Sequence, residues 1–349
     1  MEIPKGDGKL RPLGIPTVLD RVAQEVVRAR LEKRLEPIFH RDSYGYRPNK
    51  SAKDAVGKCR ERCWKKDWVV DVDIQGFFDN LDHELLMKAV RKHCEERWEI
   101  MYIERWLKAP VQYADGRLEE SSKGTPQGGV ISPLLANLYL HYAFDKWMER
   151  EAPAVQFERY ADDIVIHTNS QEEAEKLKAR LETRLEECKL KLNPEKTRLV
   201  YCRDEDRQEN HDQIKFTFLG YTFQPRQSVN KKTGRQFTNY LPALSSGAKS
   251  KFRERIKQTR LLKTTQIEIE EIALKLNPIV RGWCNYFSYY YQSALSRPLE
   301  WLNARLKSWY QQKYRLSSNR AFDYLRLLQT KHPNLFWHWT LKPFSERAV

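Results

Sequence analysis

Three aspartates are the residues of this sequence best suited to chemistry. Asp73 ends the segment VVDVD, and Asp162 and Asp163 stand side by side in RYADDIVI. Neighbouring carboxylates repel each other, and a bound cation is one way in which such a pair becomes tolerable. Nucleotidyl transfer uses two divalent cations, one at the attacking 3′ hydroxyl and one at the triphosphate, and Mg²⁺ prefers oxygen ligands. The three aspartates therefore predict a two-metal site for phosphoryl transfer.

The sequence around these aspartates predicts that paired strands position them. WVVDVDI, residues 68–74, is a β-branched run typical of a buried strand. FERYADDIVIHT, residues 157–168, alternates on both sides of a polar centre, which predicts a hairpin with the two adjacent aspartates at its tip. A lone Asp-Asp pair is also typical of an ordinary turn, and the matching context of Asp73 favours the metal site. Asp71, on the same strand face as Asp73, is either a helper or a structural residue.

Apolar spacing elsewhere predicts an α+β front part followed by an all-helical back part. The predicted helices cover residues 19–35, 51–63, 83–93, 132–148, a segment that Ser170 and Glu173 begin as a capping box, and most of the chain from Lys249 onward. FTFLGYTF predicts a strand, and residues 225–247 predict a hairpin and linker. We place one domain over residues 1–230 and another over residues 245–349.

The composition is that of an ordinary globular protein. The 349 residues are 40% hydrophobic and 31% charged, and no run approaches the roughly 18 apolar residues of a membrane helix. The N-terminal residues lack an apolar signal core, so we expect a cytoplasmic protein with no membrane partner. The six cysteines form no C-x-x-C pair, which argues against a zinc site or a disulfide framework. Cys59 and Cys63, on one helix face, are best interpreted as small buried residues.

Positive charge is concentrated in the last third of the chain. The whole sequence has a net charge of +15, and residues 241–349 hold 19 Lys and Arg against 7 Asp and Glu. The same segment contains 17 of the 41 aromatic residues. Basic charge mixed with flat rings suits a phosphate backbone with exposed bases. A helical bundle with a solvated basic face is the alternative that charge alone leaves open.

The sequence resembles a known family through a series of blocks in a fixed order. The blocks are PKGDGKLRPLGIPT, SYGYRPNKSAKDAV, VVDVDIQGFFDNLDHELL, KGTPQGGVISPLLANLYL, RYADDIVI, LNPEKTRLV, FLGYTF and RGWCNYF. Together they resemble the reverse transcriptase/maturases that bacterial group II introns encode, far more specifically than YADD alone. The resemblance implies an α+β right-hand polymerase with fingers and palm, followed by an all-helical thumb and maturase domain that binds RNA.

The resemblance implies that Asp73, Asp162 and Asp163 are the catalytic metal ligands, with Asp162 the more important of the hairpin pair. Mg²⁺ is the expected ion, and Mn²⁺ is the alternative. Lys196 resembles the family's late palm lysine, a proton donor to pyrophosphate.

Further residues resemble the family's nucleotide-binding positions. Lys5 and Arg11 would reach the incoming triphosphate, since an ammonium and a forked guanidinium both suit phosphate oxygens. Ordinary exposed cations are the alternative for both. Phe77 would stack under the sugar and exclude a 2′ hydroxyl. Phe78 is the alternative, because one of the two rings should face the core.

A loop and two strand-end positions complete the implied polymerase site. Gln127 and Gly128 in PQGG resemble the loop that lines the nucleotide pocket, where glycine lets the backbone approach a ligand closely. A plain loop before a helix is the alternative. Arg47 in GYRP would contact template or nucleotide, and Leu219 and Gly220 resemble the grip on the primer end.

Outside the polymerase blocks, one candidate helix is strongly basic. We expect it to bind RNA through Lys249, Lys251, Arg253 and Arg255. Trp283, in the block that resembles the maturase motif, is better interpreted as a core residue than as an RNA contact.

The chain departs from the family's pattern at both ends. Members usually carry a longer N-terminal segment with a further basic block, whereas PKGDGKLRP here begins at Pro4. No cysteine follows Cys284, so we expect no H-N-H endonuclease with paired cysteines.

We therefore expect an RNA-directed DNA polymerase of the group II intron type. Its expected partners are an RNA template, intron RNA, a DNA primer or target, and dNTPs; the sequence indicates no oligomeric state. The alternatives are a domesticated reverse transcriptase without a splicing role, an RNA-templated RNA polymerase, and an RNA-binding splicing factor with weak polymerase activity. YADD and Phe77 favour DNA synthesis, and the intact carboxylates argue against the splicing factor.

Overall fold

A computed structural model describes residues 2–4, 10–12, 14–113, 115–126, 128–230 and 232–341, with side chains in the last four of these ranges. The chain divides into two compact units, Met1–Ile214 and Lys215–Val349. The boundary lies just before FTFLGYTF, whereas the sequence-based division places that segment in the first domain, residues 1–230.

In its described residues, the first unit combines seven α-helices with a central sheet and two small strand pairs. Its helices are α1 (Val18–Leu35), α2 (Ala52–Cys63), α3 (His83–His93), α4 (Arg97–Lys108), α5 (Ser132–Leu140), α6 (Lys146–Glu151) and α7 (Gln171–Glu187). Its strands are β1 (Glu2–Pro4), β2 (Leu10–Pro12), β3 (Trp68–Asp73), β4 (Val111–Gln112), β5 (Leu118–Glu119), β6 (Gln156–Tyr160), β7 (Asp163–Thr168) and β8 (Arg198–Tyr201).

The central sheet has the order β6-β7-β3-β8, and all neighbouring strands are antiparallel. Because side chains alternate across a strand, each strand presents one set of residues to each face. Val70 and Val72 face the larger hydrophobic core, where Leu177 and Leu181 of α7 also lie. The opposite face carries the aspartates of β3 and is covered at its far end by α2, whose Arg62 reaches Glu158 at 2.5 Å. Helix α2 therefore does not cover the end of the sheet that carries the aspartates.

A chain of buried charges fastens α2 to this second face. Arg62 bonds Asp42 at 2.7 Å as well as Glu158, and the second carboxylate oxygen of Glu158 lies 2.6 Å from Nε2 of His167. Burial opposes protonation of His167, but the Glu158 carboxylate and the Cys63 thiol outweigh it and raise the pKa of the imidazole to about 10. The four groups thus alternate in charge, which is how buried charges become tolerable.

Helix α1 buries only half of the stripe that its apolar spacing predicts, which consists of Val22, Val26, Leu31 and Leu35. Leu31 and Leu35 are fully buried, but Val22 and Val26 are 60% and 51% exposed. The buried face begins instead with Gln24 and Val27, and the amide of Gln24 binds a loop rather than solvent. The periodicity predicts the helix correctly, whereas its orientation depends on that loop.

The segment 132–148 is helical, as the sequence predicts, but it is not one regular helix. Between α5 and α6 the turn His141–Asp145 is a π-helix. Such turns insert an extra residue into a helix and often occur near functional sites. Here Asp145 is buried and bonds Arg159 of β6, so the turn belongs to the support of the β6–β7 hairpin.

The second unit consists of a three-stranded sheet followed by helices. The strands, in the order β11-β10-β9, are β9 (Phe216–Phe218), β10 (Tyr221–Val229) and β11 (Gln236–Leu244). The helices are α8 (Ser246–Gln258), α9 (Ile269–Phe287), α10 (Ser296–Tyr314) and α11 (Ser318–Lys331). FTFLGYTF is therefore two strands joined by a turn rather than the single predicted strand. The hairpin predicted over 225–247 is formed by β10 and β11, and α8 follows without a separate linker.

Two further differences concern single elements. Helix α4 has no counterpart among the predicted helices. The helix that begins after Ser170 has the predicted cap, since Ser170 accepts from the amide of Glu173, but the Glu173 carboxylate returns to the amide of Asn169. A reciprocal capping box occurs instead at Ser51 and Asp54. Among the helices within the described ranges, none is long and apolar enough to cross a membrane.

Candidate active site

The antiparallel pairing of β3 with β7 brings the three aspartates together. Asp73 and Asp163 are direct register partners, so their side chains leave the same face of the sheet. Asp162 precedes Asp163 in the two-residue turn between β6 and β7, where Ala161 has a left-handed φ of 56°. The predicted juxtaposition of a strand-end aspartate with a hairpin that carries two more is thus present in the structure.

Burial and neighbouring carboxylates raise the pKa of two aspartates on this face, Asp163 and Asp71. Asp163 is open to solvent, but the surrounding protein reduces its hydration, and this desolvation together with Asp162 and Asp73 raises its pKa to about 7. For Asp71, burial is again the main cause, and Asp163 and Asp73 add to it against Arg198, so that the pKa rises to about 8. Crowded carboxylates with raised pKa values are stabilised by a cation, and their oxygens are the ligands that Mg²⁺ and Mn²⁺ accept. The donor set therefore fits divalent metal ions.

The buried guanidinium of Arg159 stabilises the β6–β7 hairpin. Arg159, two residues before the turn, donates to both carboxylate oxygens of Asp145 at 2.8 and 2.7 Å. It also donates to Asn137 Oδ1 at 2.9 Å and to the carbonyl oxygen of Ala161 in the turn at 3.2 Å. All of Arg159 is buried, and it pairs with Asp145 in a bidentate geometry. The position of the Asp162 backbone thus depends on a polar network that neither YADD nor its spacing reveals.

The glycine of GYRP lets a second loop reach the same turn. A Cβ on Gly45 would overlap the backbone nitrogen of Ala161, so no larger residue fits without displacing the turn. The Gly45 carbonyl accepts from Asn137 Nδ2 at 2.7 Å, and Tyr44 donates its amide to the Arg159 carbonyl at 2.8 Å. The loop therefore supports the hairpin through backbone contacts.

The loop around Lys196 supports Asp73 in the same way. The carbonyl of Asp73 accepts from the amide of Asn193 at 2.8 Å, and its amide donates to Thr197 Oγ1 at 3.3 Å. Lys196 is exposed between these two anchors. The structure thus connects this lysine to the strand end that carries Asp73, and its role as a proton donor stays a prediction.

The two phenylalanines after Asp73 differ in exposure. Phe77 is 2% exposed and packs in the main core of the first unit, whereas Phe78 is half-buried against it with the rings in an edge-to-face arrangement at 5.3 Å. The Phe78 carbonyl accepts from the amide of Thr125 at 2.8 Å, which ties this segment to the PQGG loop. Burial favours Phe78 as the ring that a ligand can reach, while the resemblance favours Phe77, and the assignment of the gate stays a prediction.

The PQGG loop is held by Gln24 of α1. Its side-chain oxygen accepts from the amide of Val130 at 2.8 Å, and the residue is buried. Gly128 is exposed with a φ of +115°, a conformation that side chains other than glycine rarely adopt. Gln127 lies outside the described residues. The backbone of this loop is therefore shaped for glycine, as a close approach to a ligand requires.

The structure corrects the prediction for Arg47. Its side chain is 6% exposed, and its guanidinium bonds the Glu36 carboxylate at 2.7 Å and the carbonyls of His40 and Ser43 at 2.6 and 2.8 Å. The Nε donor and the remaining Nη donor also face Glu36. All five donors of a guanidinium are then used within the protein. Arg47 fixes the loop after α1 instead of contacting template or nucleotide.

The remaining predicted residues of the nucleotide site lie where the structure describes little of them. Lys5 is outside the described residues. Arg11 lies in β2 opposite Ile3, and its side chain is outside the described residues. Both assignments to the triphosphate stay predictions.

Leu219 and Gly220 form the turn between β9 and β10 in the second unit. Both have a left-handed φ, of 49° and 82°. The Leu219 carbonyl accepts from the Tyr286 hydroxyl at 2.9 Å, and the Gly220 carbonyl accepts from the amide of Ser245. Contacts within the second unit therefore fix the turn, and its role at a primer end stays a prediction.

The four predicted RNA-binding cations do share one helix. Lys251, Arg253 and Arg255 are exposed on α8, and Lys249 is half-buried. Trp283 of α9, predicted to be a core residue, stacks on Phe252 of α8 at 4.2 Å but is only half-buried.

Sequence reasoning missed the polar residues that position this site. They are Gln24, Asn137, Asp145, Arg159 and Thr197. Two of them do leave a signal in the sequence. Gln24 lies on the same helix face as Val27 and Leu31. Arg159 lies on the same strand face as the buried Phe157. A polar residue at a core position predicts a buried hydrogen-bond partner.

Two family models match the chain. Residues 3–223 match the model described as reverse transcriptase (RNA-dependent DNA polymerase). Residues 249–328 match the model described as group II intron, maturase-specific domain.

Curated relatives and a solved structure are also similar to the chain. It is 34% identical to Protein YkfC of Escherichia coli, over 58% of this chain and 62% of that protein. It is 38% identical to the group II intron-encoded protein LtrA of Lactococcus lactis, over 43% of this chain and 26% of that protein. The chain thus spans less than two thirds of both relatives. A telomerase from Candida tropicalis, solved with a fragment of telomeric RNA, superposes with a TM-score of 0.50 at 13% identity, over 100% of this chain and 62% of that one. That likeness shows the fold alone.

Proposed function

The chain belongs to the reverse transcriptase (RNA-dependent DNA polymerase) family and carries a group II intron maturase-specific domain, and on this premise we propose that it copies RNA into DNA and assists splicing. It extends a DNA 3′ hydroxyl on an RNA template with dNTPs and Mg²⁺, or alternatively Mn²⁺. Its second role is to bind intron RNA and so promote splicing and mobility.

The observation that carries the polymerase proposal is the register of β3 and β7. Asp73 stands directly opposite Asp163, and Asp162 adjoins them at the hairpin tip. Carboxylates so arranged on a rigid sheet supply oxygen ligands without a conformational search. Desolvation, with the added charges of Asp162 and Asp73, raises the pKa of Asp163, as expected where carboxylates gather at a cation site.

The chain's own residues hold and orient the reactants in this mechanism. Divalent ions, when bound, activate the attacking hydroxyl and neutralise the triphosphate. Asp73, Asp162 and Asp163 would hold the ions, and the Arg159 network holds the turn that carries Asp162. Phosphoryl transfer depends mainly on such positioning and on charge stabilisation.

Other residues act on the nucleotide in this proposal. Lys5 and Arg11 bind the triphosphate oxygens, and the exposed backbone of Gly128 approaches the nucleotide. Lys196 carries a proton for the leaving pyrophosphate from a loop that is hydrogen-bonded to the Asp73 backbone. An aromatic ring after Asp73 excludes ribonucleotides.

Primer extension tests the polymerase role directly. The full chain is given a DNA primer on an RNA template, once with dNTPs and once with NTPs, and with a chelator as the metal-free control. We expect extension with dNTPs that a chelator abolishes. Extension with NTPs at an equal rate would identify an RNA polymerase. No extension by folded protein would leave the splicing factor as the better description.

The match of residues 249–328 to the maturase-specific domain supports the second role. Splicing chemistry belongs to the intron RNA, and a protein promotes it by stabilising the active RNA shape. Asp162→Asn should therefore still promote splicing, at reduced Mg²⁺, of the intron that flanks the reading frame. If wild-type protein never promotes splicing but does extend primers, the chain is a domesticated reverse transcriptase.

A further inference from the structure

We infer that Arg226, Lys249, Arg253 and Arg297 form a preformed site for the phosphate backbone of RNA. The inference rests on the proposed function, because it assumes that RNA is the partner of the second unit. It goes further by naming a particular cluster in place of a generally basic helix.

The first side of the cluster is formed by neighbouring rows on α8 and α10. The guanidinium of Arg253 lies 5.7 Å from the ring centre of Trp301, which joins the two helices at that level. Lys249 lies one turn before Arg253 on α8, and Arg297 lies one turn before Trp301 on α10. Residues four apart share a helix face. The charge of Arg297 acts on Lys249, which places Arg297 near that lysine, and the two helices thus present three cations to one region.

The β10–β11 hairpin supplies the fourth cation. Arg226 donates to the carbonyls of Leu241 and Thr222, each at 3.2 Å, and its guanidinium lies 5.3 Å from the ring centre of Tyr291. It is half-buried, so the protein has already restricted its rotamers. A cation held in this way loses little further freedom when an anion binds.

Within the described part of the chain, no carboxylate forms an ion pair with any of the four cations. By contrast, the buried Arg62 and Arg159 of the first unit each face carboxylates. Burial lowers the pKa of Lys249, and the charges of Arg226, Arg297 and Arg253 lower it further. Burial also lowers the pKa of Arg226. Like charges gathered without a counter-ion oppose folding, and a bound anion reverses that repulsion.

The chemistry of the cluster favours RNA phosphate as the anion. Guanidinium groups bind phosphate oxygens in a two-point geometry, and three of the four cations are arginines. The rings of Tyr291 and Trp301 add flat surfaces of the kind on which unpaired bases stack. An acidic protein surface is the competing partner class, and it would not need the rings that lie beside two of the three guanidiniums.

Helix α8 provides a matched control. At 100° per residue, Lys249 and Arg253 lie on one side of the buried stripe of Phe252 and Ile256, and Lys251 and Arg255 lie on the other side. Both pairs carry two positive charges on the same helix. If RNA affinity depended only on total positive charge, the two pairs would contribute equally to it. If RNA binds at the proposed site, Lys249 and Arg253 contribute more.

The experiment compares the full chain with the double variants Lys249→Ala/Arg253→Ala and Lys251→Ala/Arg255→Ala. Binding is measured over a salt series with a labelled RNA hairpin from the flanking intron, an unrelated RNA hairpin and an RNA–DNA template–primer. We expect the first variant to lose at least about tenfold in affinity and about two units of salt slope, and the second to lose about two- to threefold. The three probes identify which RNA supplies the phosphates, since that probe suffers the largest loss.

A second readout does not depend on RNA. Because the free cluster is self-repelling, inorganic phosphate should raise the melting temperature of the wild type and of Lys251→Ala/Arg255→Ala more than that of Lys249→Ala/Arg253→Ala. The pair Lys249→Gln/Arg297→Gln repeats both tests and leaves the contact between Arg253 and Trp301 in place.

Equal losses for the two α8 pairs, with equal stabilisation by phosphate, would overturn the inference and leave the proposed function standing. Stronger competition by an acidic polypeptide than by RNA of equal charge would overturn it in favour of a protein partner. If the folded wild type binds no RNA on any probe, the proposed RNA partner itself fails.

Discussion

At the scale of single residues, the hairpin aspartates differ in their surroundings. Asp163 is paired in register with Asp73, while Asp162 lies in the turn that precedes it. A residue in a turn supported by Arg159 and Gly45 can be replaced with little effect on the sheet, so its substitution reports on chemistry rather than on folding.

We expect Asp162→Asn to lower primer extension by orders of magnitude, because it removes a metal ligand and a negative charge. RNA affinity should be unchanged, since phosphate contacts lie elsewhere. The control is Asp206→Asn, which removes the same charge from an exposed position. Extension and RNA binding are measured side by side, and extension at the wild-type rate would remove Asp162 from the metal site.

The second residue-scale prediction concerns selection of the sugar. Phe77→Val should raise ribonucleotide incorporation relative to deoxyribonucleotide by about 10–200-fold, equivalent to roughly 1–3 kcal/mol of lost steric exclusion. Because Phe77 also packs in the core, the variant should unfold at lower denaturant concentration.

Phe78→Val is the matched comparison, since its ring is half-buried in contact with Phe77. Single-nucleotide incorporation with paired dNTP and NTP substrates measures both variants. If only Phe78→Val admits ribonucleotides, the gate is Phe78 and the resemblance misassigns the block by one residue.

At the scale of elements, the hairpin between β6 and β7 depends on one buried ion pair. Arg159→Ala should destabilise the first unit by about 3–5 kcal/mol, because it leaves Asp145 buried without its partner. Arg159→Lys keeps the charge but loses the two-point geometry, so it should be intermediate in stability.

Both variants should also lose the bond to the Ala161 carbonyl, and with it part of the primer-extension rate. Denaturant unfolding and extension are measured on the same preparations. Unfolding free energies equal to that of the wild type would show that Arg159 does not support the turn.

The elements that carry the aspartates could be predicted because their side chains follow simple periods. A β-branched run ends at Asp73, and alternating residues surround Asp162 and Asp163, as the structure confirms for β3, β6 and β7. The register of β3 against β7 could not be predicted, since long-range packing sets it. The burial predicted for Val22 and Val26 was wrong, because the polar Gln24 takes a buried position on α1 and binds the loop at Val130.

The sequence predicts the position of some site residues better than that of others, for a physical reason. Carboxylates that gather at a strand end are recognisable because few structural roles require them. An arginine such as Arg47 has the same chemistry whether it meets a phosphate or an internal carboxylate, and only the fold shows that Glu36 takes its donors. Arg226 and Arg297 were overlooked because they converge with Lys249 from elements that are distant in sequence.

At the scale of the whole molecule, the two units each bury a histidine in a different protonation state. His167 in the first unit has its pKa raised to about 10, with Glu158 outweighing burial. His338 in the second unit is completely buried, and burial lowers its pKa to about 3. An unperturbed histidine has a pKa of 6.5. The units should therefore respond to pH in opposite directions.

The stability that His167 contributes is complete below about pH 6.5 and is lost as the pH rises towards 10. The contribution of neutral His338 is present above about pH 6.5 and is lost as the pH falls towards 3. Each slope should be about 1.4 kcal/mol per pH unit within its window. Hydrogen exchange, which reports on the two units separately, measures the effect at about pH 5, 7 and 9. The slopes should vanish in His167→Gln and His338→Gln respectively, and unchanged slopes would contradict the assignment.

The register of β3 and β7 also determines which changes in chain length this protein can accept. Side chains alternate with a period of two, so one residue inserted into either strand would turn Asp73 or Asp163 to the opposite face of the sheet. A library of single-codon insertions and deletions should therefore find no active clones between residues 69 and 73 or between 163 and 167. The exposed β4–β5 hairpin near Gly116 should accept them freely. In directed evolution, the palm should therefore tolerate substitutions but not insertions or deletions in β3 and β7.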